Sequence, residues 1–291
     1  MKASIPFLAG LLALAGCATI AERSDEKDTA SLHLIAELHR TLPGDYATAL
    51  SRQQRLNSIE PLLLNVRAEP SFDPGELVLV LAQRQGDGPL RSFVLTVSVS
   101  DTPDRLDGAF APLDERGQPR RDCAMEFRVR ADGFSGQTDP QSCRFGDGEQ
   151  ATGLIKEIAF DGDQLVIGDR LVRLADGMPA AADQIHSFFR VRYFSGWAGR
   201  LEGDRWRLAK AFELHSGDGY IEPVDAAGMS LGLGVELARH EPGSERRQIL
   251  RLSLIDLDSG EILAQSWADP EAESLGIALP DVQIGLEPGQ Y

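Results

Sequence analysis

From residue 60 onward the chain alternates with a period of two, and that constrains its fold more than any other feature. In Leu90–Ser100, Phe93, Leu95, Val97 and Val99 fall on one side, with Val94, Thr96 and Ser98 on the other. In Met125–Arg130 the charged Arg128 and Arg130 share a wet face. Glu60–Ala68, Leu77–Gln83, Phe188–Phe194, Arg205–Leu214 and Leu231–His240 continue in the same style. Ile155–Asp169 divides into two strands at the tight-turn pair Asp161-Gly162, and Ile249–Gln265 divides at a hairpin turn over Asp256–Gly260. Such alternation gives each strand one wet and one dry face, the signature of antiparallel sheets. Twenty-nine Gly and sixteen Pro separate the runs, so the strands are short. One helical pattern precedes them: in residues 31–42, Leu34, Ile35, Leu38 and Leu42 share a face, and Pro43-Gly44 ends it. A helix followed by about ten short strands predicts an all-β barrel or sandwich whose dry side lines a packed core or a ligand cavity.

The first residues carry a different message. Met1-Lys2 is followed by an apolar or small run, Ile5–Gly16, too short to span a bilayer, which needs ~20 apolar residues. It ends in Leu14-Ala15-Gly16-Cys17, a small-residue cleavage site with a cysteine directly after it, and so matches a bacterial lipoprotein signal. Cleavage before Cys17 and acylation of its thiol and new amino group would give firm membrane attachment, because several acyl chains hold where one does not. The alternative is an ordinary secretory signal with a chance cysteine. Ala18, in place of Asp, favours the outer membrane by resemblance to known lipoproteins. The expected layout is a signal peptide over 1–16, a lipidated flexible tether over 17–30, a β-barrel over 31–192 and additional β structure over 193–291. The expected location is the cell envelope, on the outer membrane facing the periplasm.

The formal net charge of −16 excludes nucleic-acid phosphates as partners and leaves membrane contact to the lipid. With Cys17 assigned to lipid, Cys123 and Cys143 remain, and in an exported chain such a pair reads as a disulfide. It would close a loop of about 20 residues and stabilise by ~3 kcal/mol. Two free thiols and metal ligation are the alternatives. Metal is disfavoured because no CxxC occurs and the histidines (33, 39, 186, 215, 240) are scattered.

Several motifs fail their context tests. Gly228-Met229-Ser230-Leu231-Gly232 fits G-x-S-x-G but lacks a preceding strand, a following helix and a downstream Asp-then-His order. Asp256–Gly260 resembles the start of a calcium loop, yet the glycine sits at the fifth position and Trp267 at the twelfth. Gly146-Asp147-Gly148 opens no helix. Arg120-Arg121 and Arg246-Arg247 read as solvated loop pairs, with carboxylate binding as the sharper alternative.

The order of signals across about 31–192 resembles the CpcT/CpeT family of chromophore lyases. The resemblance rests on Leu42-Pro43-Gly44-Asp45-Tyr46, Gln53-Gln54, Cys123-Ala124-Met125-Glu126-Phe127, Phe134-Ser135-Gly136-Gln137-Thr138, Cys143, Leu165–Arg170 and Phe188-Phe189-Arg190-Val191. It implies a mainly β, calycin/lipocalin-like antiparallel barrel with one N-terminal helix and extra C-terminal strands or a small β domain. It also implies a bilin, an open-chain tetrapyrrole, held in that barrel and presented to an acceptor cysteine for thioether formation, with the protein supplying orientation. Catalytic residues do not carry over, because the matching positions are chiefly Gly, Cys and aromatic. Of the aromatics, most are expected in the core. Phe127, Phe134, Phe188 and Arg190 are the candidate pocket residues. Three readings follow: an envelope binding module for a hydrophobic or bilin-like ligand, a true bilin lyase, and a non-enzymatic envelope scaffold whose protein partner the sequence does not name.

Overall fold

The computed structural model describes residues 18–50, 54, 59–102, 104–130, 133–162, 164–240 and 249–289. Cys17, the signal segment and the pair Arg246-Arg247 lie outside the described residues. A helix, α1 (Ala18–Thr41), opens the described chain. It begins well before the expected residue 31, so residues 18–30 of the segment expected as a flexible tether are helical. That expectation rested on the lack of an apolar face, which argues against packing but not against helix. The segment is rich in Ala, Glu, Arg and Lys, which favour helix intrinsically. No helix among the described residues is long and apolar enough to cross a membrane.

The first β unit comprises β1 (Gly44–Thr48), β2 (Leu62–Glu69), β3 (Glu76–Gln85), β4 (Arg91–Val99), β5 (Arg105–Pro112), β6 (Cys123–Arg130), β7 (Gly133–Thr138), the two-residue β8 (Arg144–Phe145), β9 (Thr152–Phe160), β10 (Gln164–Arg173) and β11 (Gln184–Arg190). The strands pair antiparallel in the order β10-β11-β1-β2-β3-β4-β5-β6-β7-β9, and β9 pairs back with β10. This closes a ten-stranded antiparallel barrel with no free edge, the fold class the alternation predicts, and β8 lies outside the ring on β9. The alternation faces as expected: Phe93, Leu95 and Val97 are buried, while Arg128 and Arg130 are exposed.

The barrel is packed rather than hollow at its aromatic layer. Phe127 and Phe134 meet edge to face at 5.2 Å, and Phe134 and Phe160 lie 6.4 Å apart. α1 covers one end, with Ile35, Leu38 and Leu42 buried in the same core. A polar clamp fixes the helix terminus. The Tyr46 hydroxyl donates to the Leu42 carbonyl (2.7 Å), and the Arg190 guanidinium donates to the carbonyls of Thr41 and Pro43 and to the Tyr46 hydroxyl. Glycine is favoured at position 44 by its φ of +149°, which L side chains rarely adopt, and a Cβ there would also stand 2.4 Å from Arg190 Nη1. Near the opposite end, Cys123 and Cys143 form the expected disulfide, with Cα atoms 4.8 Å apart.

Phe188–Phe194, expected as one strand, is two. β11 ends at Arg190, and β12 (Tyr193–Glu202) starts a second unit with β13 (Arg205–His215), β14 (Gly219–Ile221), β15 (Leu233–His240), β16 (Ile249–Asp256), β17 (Ile262–Ala268), β18 (Leu275–Ala278) and β19 (Val282–Pro288). The amides of Val191 and Arg192 leave the ladder and donate to the Asp45 carbonyl (2.8 Å) and the Ser216 hydroxyl (2.9 Å). Two four-stranded antiparallel sheets, β13-β12-β19-β18 and β14-β15-β16-β17, bury a separate core that includes Phe194, Leu233, Val235, Leu252, Leu254, Ile284 and Leu286. The Arg200–Asp256 pair (3.1 Å) links the two sheets.

Candidate functional site

Val235, Leu237, Leu252 and Leu254 point into the second core, so the alternate positions of the β14-β15-β16-β17 sheet form an outward face. Strand register places three rows across that face. Tyr220, Glu236, Ser253 and Gln265 are successive cross-strand partners on all four strands. On one side of this row lie Gly234, Ile255 and Ile262, and on the other Ala238, Arg251 and Trp267.

This face forms one wall of a cleft of about 1070 Å³. The opposing wall is the rim of the barrel, with Leu50, Ile59, Glu60, Pro61 and Leu63 beside Arg84 at the end of β3 and Gly86 and Asp87 of the β3–β4 turn. His215, Asp218 and Gly219 join the two walls. Asp218, held at φ 59°, accepts the Leu50 amide at 2.7 Å and so ties the second unit to the barrel.

The polar groups of the cleft are largely fixed in place. Arg251 pairs with Glu236 at 2.9 Å, and its Cζ lies 5.9 Å from the centre of the Trp267 ring, so the guanidinium is held by a carboxylate and an aromatic face. Gln265 donates to Ser253 at 3.1 Å. Burial pushes the Tyr220 phenol up to about 12, helped by the neighbouring Glu222, so it stays a donor at neutral pH and bonds Glu222 at 3.3 Å. Burial also lowers the His215 pKa, which favours a neutral ring. The cleft carries Glu60, Asp87, Asp218, Glu222 and Glu236 against Arg84 and Arg251, so carboxylates outnumber guanidiniums. The arrangement suits binding of cationic or hydrogen-bond-donating groups along an apolar frame. Among the described residues, no group of three or more His, Cys, Asp or Glu is placed to hold a metal ion.

The residues expected from the sequence to line a pocket do not line this cleft. Phe127, Phe134 and Phe188 are each fully buried in the barrel core, where they pack against neighbours, and none of them lines the cleft. Arg190 is committed to the clamp on α1 and Tyr46, and borders a separate cavity of about 240 Å³ with Phe189, Val191 and Gly217. Ser230 of the G-x-S-x-G match sits in a turn, where its hydroxyl accepts the Gly232 amide at 3.0 Å and Asp225 accepts the amides of Ala227 and Met229. Asp256–Gly260 is a hairpin turn in which Asp256 accepts the Ser259 amide at 2.9 Å. The Tyr220–Glu236–Ser253–Gln265 row gave one signal in the sequence, polar residues at alternate positions of the runs around 231–240 and 249–265.

No family model and no curated protein matches the chain. Among solved structures it is similar to the CRL protein of Arabidopsis, in selenomethionine form, at 12% identity and a TM-score of 0.40 over 55% of this chain and 98% of that one. It is also similar to a Tyr-167-Ala, Trp-176-Ala double mutant of the vaccine antigen transferrin binding protein B from Haemophilus parasuis Hp5, at 9% identity and a TM-score of 0.22 over 84% of this chain and 75% of that one.

Proposed function

We propose that the chain is an exported, lipid-anchored binding protein of the bacterial outer membrane that takes its ligand between the two β units. The observation that carries this is the cleft itself. At about 1070 Å³ it lies just above the ~300–1,000 Å³ typical of small-molecule sites, so it favours a large ligand. Its excess of carboxylates favours cationic groups, and Ile59, Leu63, Ile255 and Ile262 supply apolar contact. A relation to the CpcT/CpeT chromophore lyases is part of the proposal at the level of the barrel. The segment that carries the resemblance, Phe134–Thr138, is the barrel-packing strand β7. Bilin transfer gains less support: the residues expected to surround a bilin pack the core, and its propionates would meet carboxylates in the cleft.

The test is calorimetric titration of the full-length protein in non-ionic detergent with an alternating Lys-Leu octapeptide, spermine and biliverdin. The peptide should bind one to one and weaken with added salt. Spermine, lacking the apolar frame, should bind less tightly, and biliverdin should not bind. Charge reversal at the exposed rim, Glu60→Lys with Asp87→Lys, should weaken the peptide severalfold. Biliverdin uptake with a sharpened, red-shifted band and no peptide binding would overturn this reading in favour of a bilin carrier. The anchor has its own test. Cys17→Ser should move the protein from the membrane pellet to the soluble fraction, and continued sedimentation with membranes would refute lipidation at Cys17.

A further inference from the structure

The chain has three tryptophans, all in the second unit, and none is in a core: Trp197, Trp206 and Trp267 are 44%, 41% and 48% exposed. Large aromatics are ordinarily well buried. Trp267 is on β17, beside Arg251 on the sheet that faces the cleft, but Trp197 and Trp206 lie on the outer face of the other sheet, β13-β12-β19-β18, on the far side of the sandwich from the cleft. Ala198, Ala209, Ile284 and Leu286 point into the core, so Trp197, Gly199, Trp206, Leu208 and Gly285 point out.

Each indole lies on a glycine. A Cβ on Gly285, the cross-strand partner of Trp197, would meet Trp197 Nε1 at 2.6 Å and Cε2 at 3.0 Å. A Cβ on Gly199 would meet Trp206 Cε3 at 3.1 Å and Cζ3 at 3.5 Å. One face of each ring is therefore supported on bare backbone while much of the ring stays open to solvent. Gly199 lies two residues along β12 from Trp197 and one strand across from Gly285, so the two supports are about 8 Å apart. Gln283 pairs with Gly199, and Lys210 pairs with Trp197, placing an amide and an amine beside the rings.

We propose that this face is a carbohydrate platform on which Trp197 and Trp206 stack successive rings of a neutral pyranose oligosaccharide. A pyranose presents a flat face of C–H groups edged by hydroxyls. An open indole edged by Gln283 and Lys210 is complementary to both parts. A second copy of the chain fits less well: Trp197, Trp206 and Leu208 together offer about 300 Å² of exposed apolar surface, against the ~800 Å² per partner of a standard interface. Nucleobases stack on aromatics too, but the net charge of −16 opposes their phosphates.

The test uses the full-length protein in detergent, with tryptophan emission recorded during titration by chitotriose, cellotriose and maltotriose. At least one glycan should give a saturable change. Trp197→Ala and Trp206→Ala should each weaken it by about tenfold, the loss expected from removing one stacked ring. Trp197→Phe should keep most of the affinity, and Trp267→Ala should leave it unchanged. Three results would each overturn the platform: no saturable response to any glycan, equal affinity in the Trp197→Ala and Trp206→Ala variants, or a wild-type dimer in sedimentation that those variants convert to monomer.

Discussion

Replacing Lys156 by Met is expected to stabilise the protein, and replacing its partner Asp169 by Asn to destabilise it. Lys156 is on β9, directly opposite Asp169 on β10, and its side chain points into the barrel, 5% exposed. Its ammonium meets Asp169 Oδ1 at 2.8 Å and lies 4.8 and 5.0 Å from the ring centroids of Phe93 and Phe110. Taking an ammonium out of water opposes folding: replacing both members of a buried ion pair by well-packed apolar side chains is neutral or gains about 1–4 kcal/mol, and removing the buried member alone keeps part of that gain when its partner is partly solvated. Met has similar reach and packs against aromatics, and Asp169, whose Oδ1 is buried, keeps access to water through the rest of its carboxylate, the side chain being 42% exposed. A gain of about 1–2 kcal/mol, or roughly 2–4 °C per kcal/mol in the thermal midpoint, is expected. Asp169→Asn removes the counter-charge while the amine stays buried. It should cost about 2 kcal/mol, less than the ~3–5 of a fully buried pair because Asp169 is partly solvated. Burial, the dominant influence, lowers the Lys156 pKa below the ordinary 10.5, against the opposing pull of Asp169. The unfolded chain therefore binds more protons than the native one between the lowered native value and 10.5, and wild-type stability rises with pH across that window. The advantage of Lys156→Met should shrink over the same range. Thermal melts from neutral pH to pH 10 check this, and a difference between the two proteins that stays constant with pH would refute the buried-charge account.

The parts of the fold that could be read in the sequence are those where side-chain pattern and backbone pairing agree. β4 and β6 alternate cleanly because each has one face on the core and one in water. β5, with the sequence RLDGAFAP, was not legible: Gly, Pro and Ala are weak strand formers, and the strand exists because β4 and β6 hydrogen-bond it on both sides. The same holds for β1, GDYAT, fixed between β2 and β11. The setting of the candidate pocket residues was hidden for a different reason. Alternation shows that Phe127, Phe134 and Phe188 point inward, but whether an inward face encloses space depends on residues contributed by strands far away in sequence. The cleft is hidden in the same way. Leu63, Arg84, Tyr220 and Gln265 are each ordinary solvent-face positions until two separate units bring them together.

Gly136 lies on β7 in the barrel wall, and Gly136→Ala is expected to cost about 3 kcal/mol, at the upper end for overpacking by one methyl. Gly136 pairs with Phe127 on β6 and with Ile158 on β9. A Cβ there would stand 2.3 Å from Phe127 Cδ1 and 2.6 Å from the Glu126 carbonyl oxygen. The ring has no room to move aside. On the other flank a Cβ at Gly108 would stand 2.7 Å from Phe127 Cε2, and the Phe134 ring meets it edge-on. Phe127 thus occupies a slot between two glycines on the strands either side of its own. Phe127→Ala alone should cost about 3–5 kcal/mol by leaving that slot empty. If the ring is what excludes a side chain at Gly136, the double variant must cost less than the two singles together by about 1 kcal/mol or more, because the new methyl enters the space the ring vacated. The contact with the Glu126 carbonyl remains, so the relief is partial. Urea denaturation of the four proteins measures the coupling. Strict additivity would mean that backbone approach alone demands the glycine, and that the slot around Phe127 is not what fixes the Phe-Ser-Gly-Gln-Thr pattern.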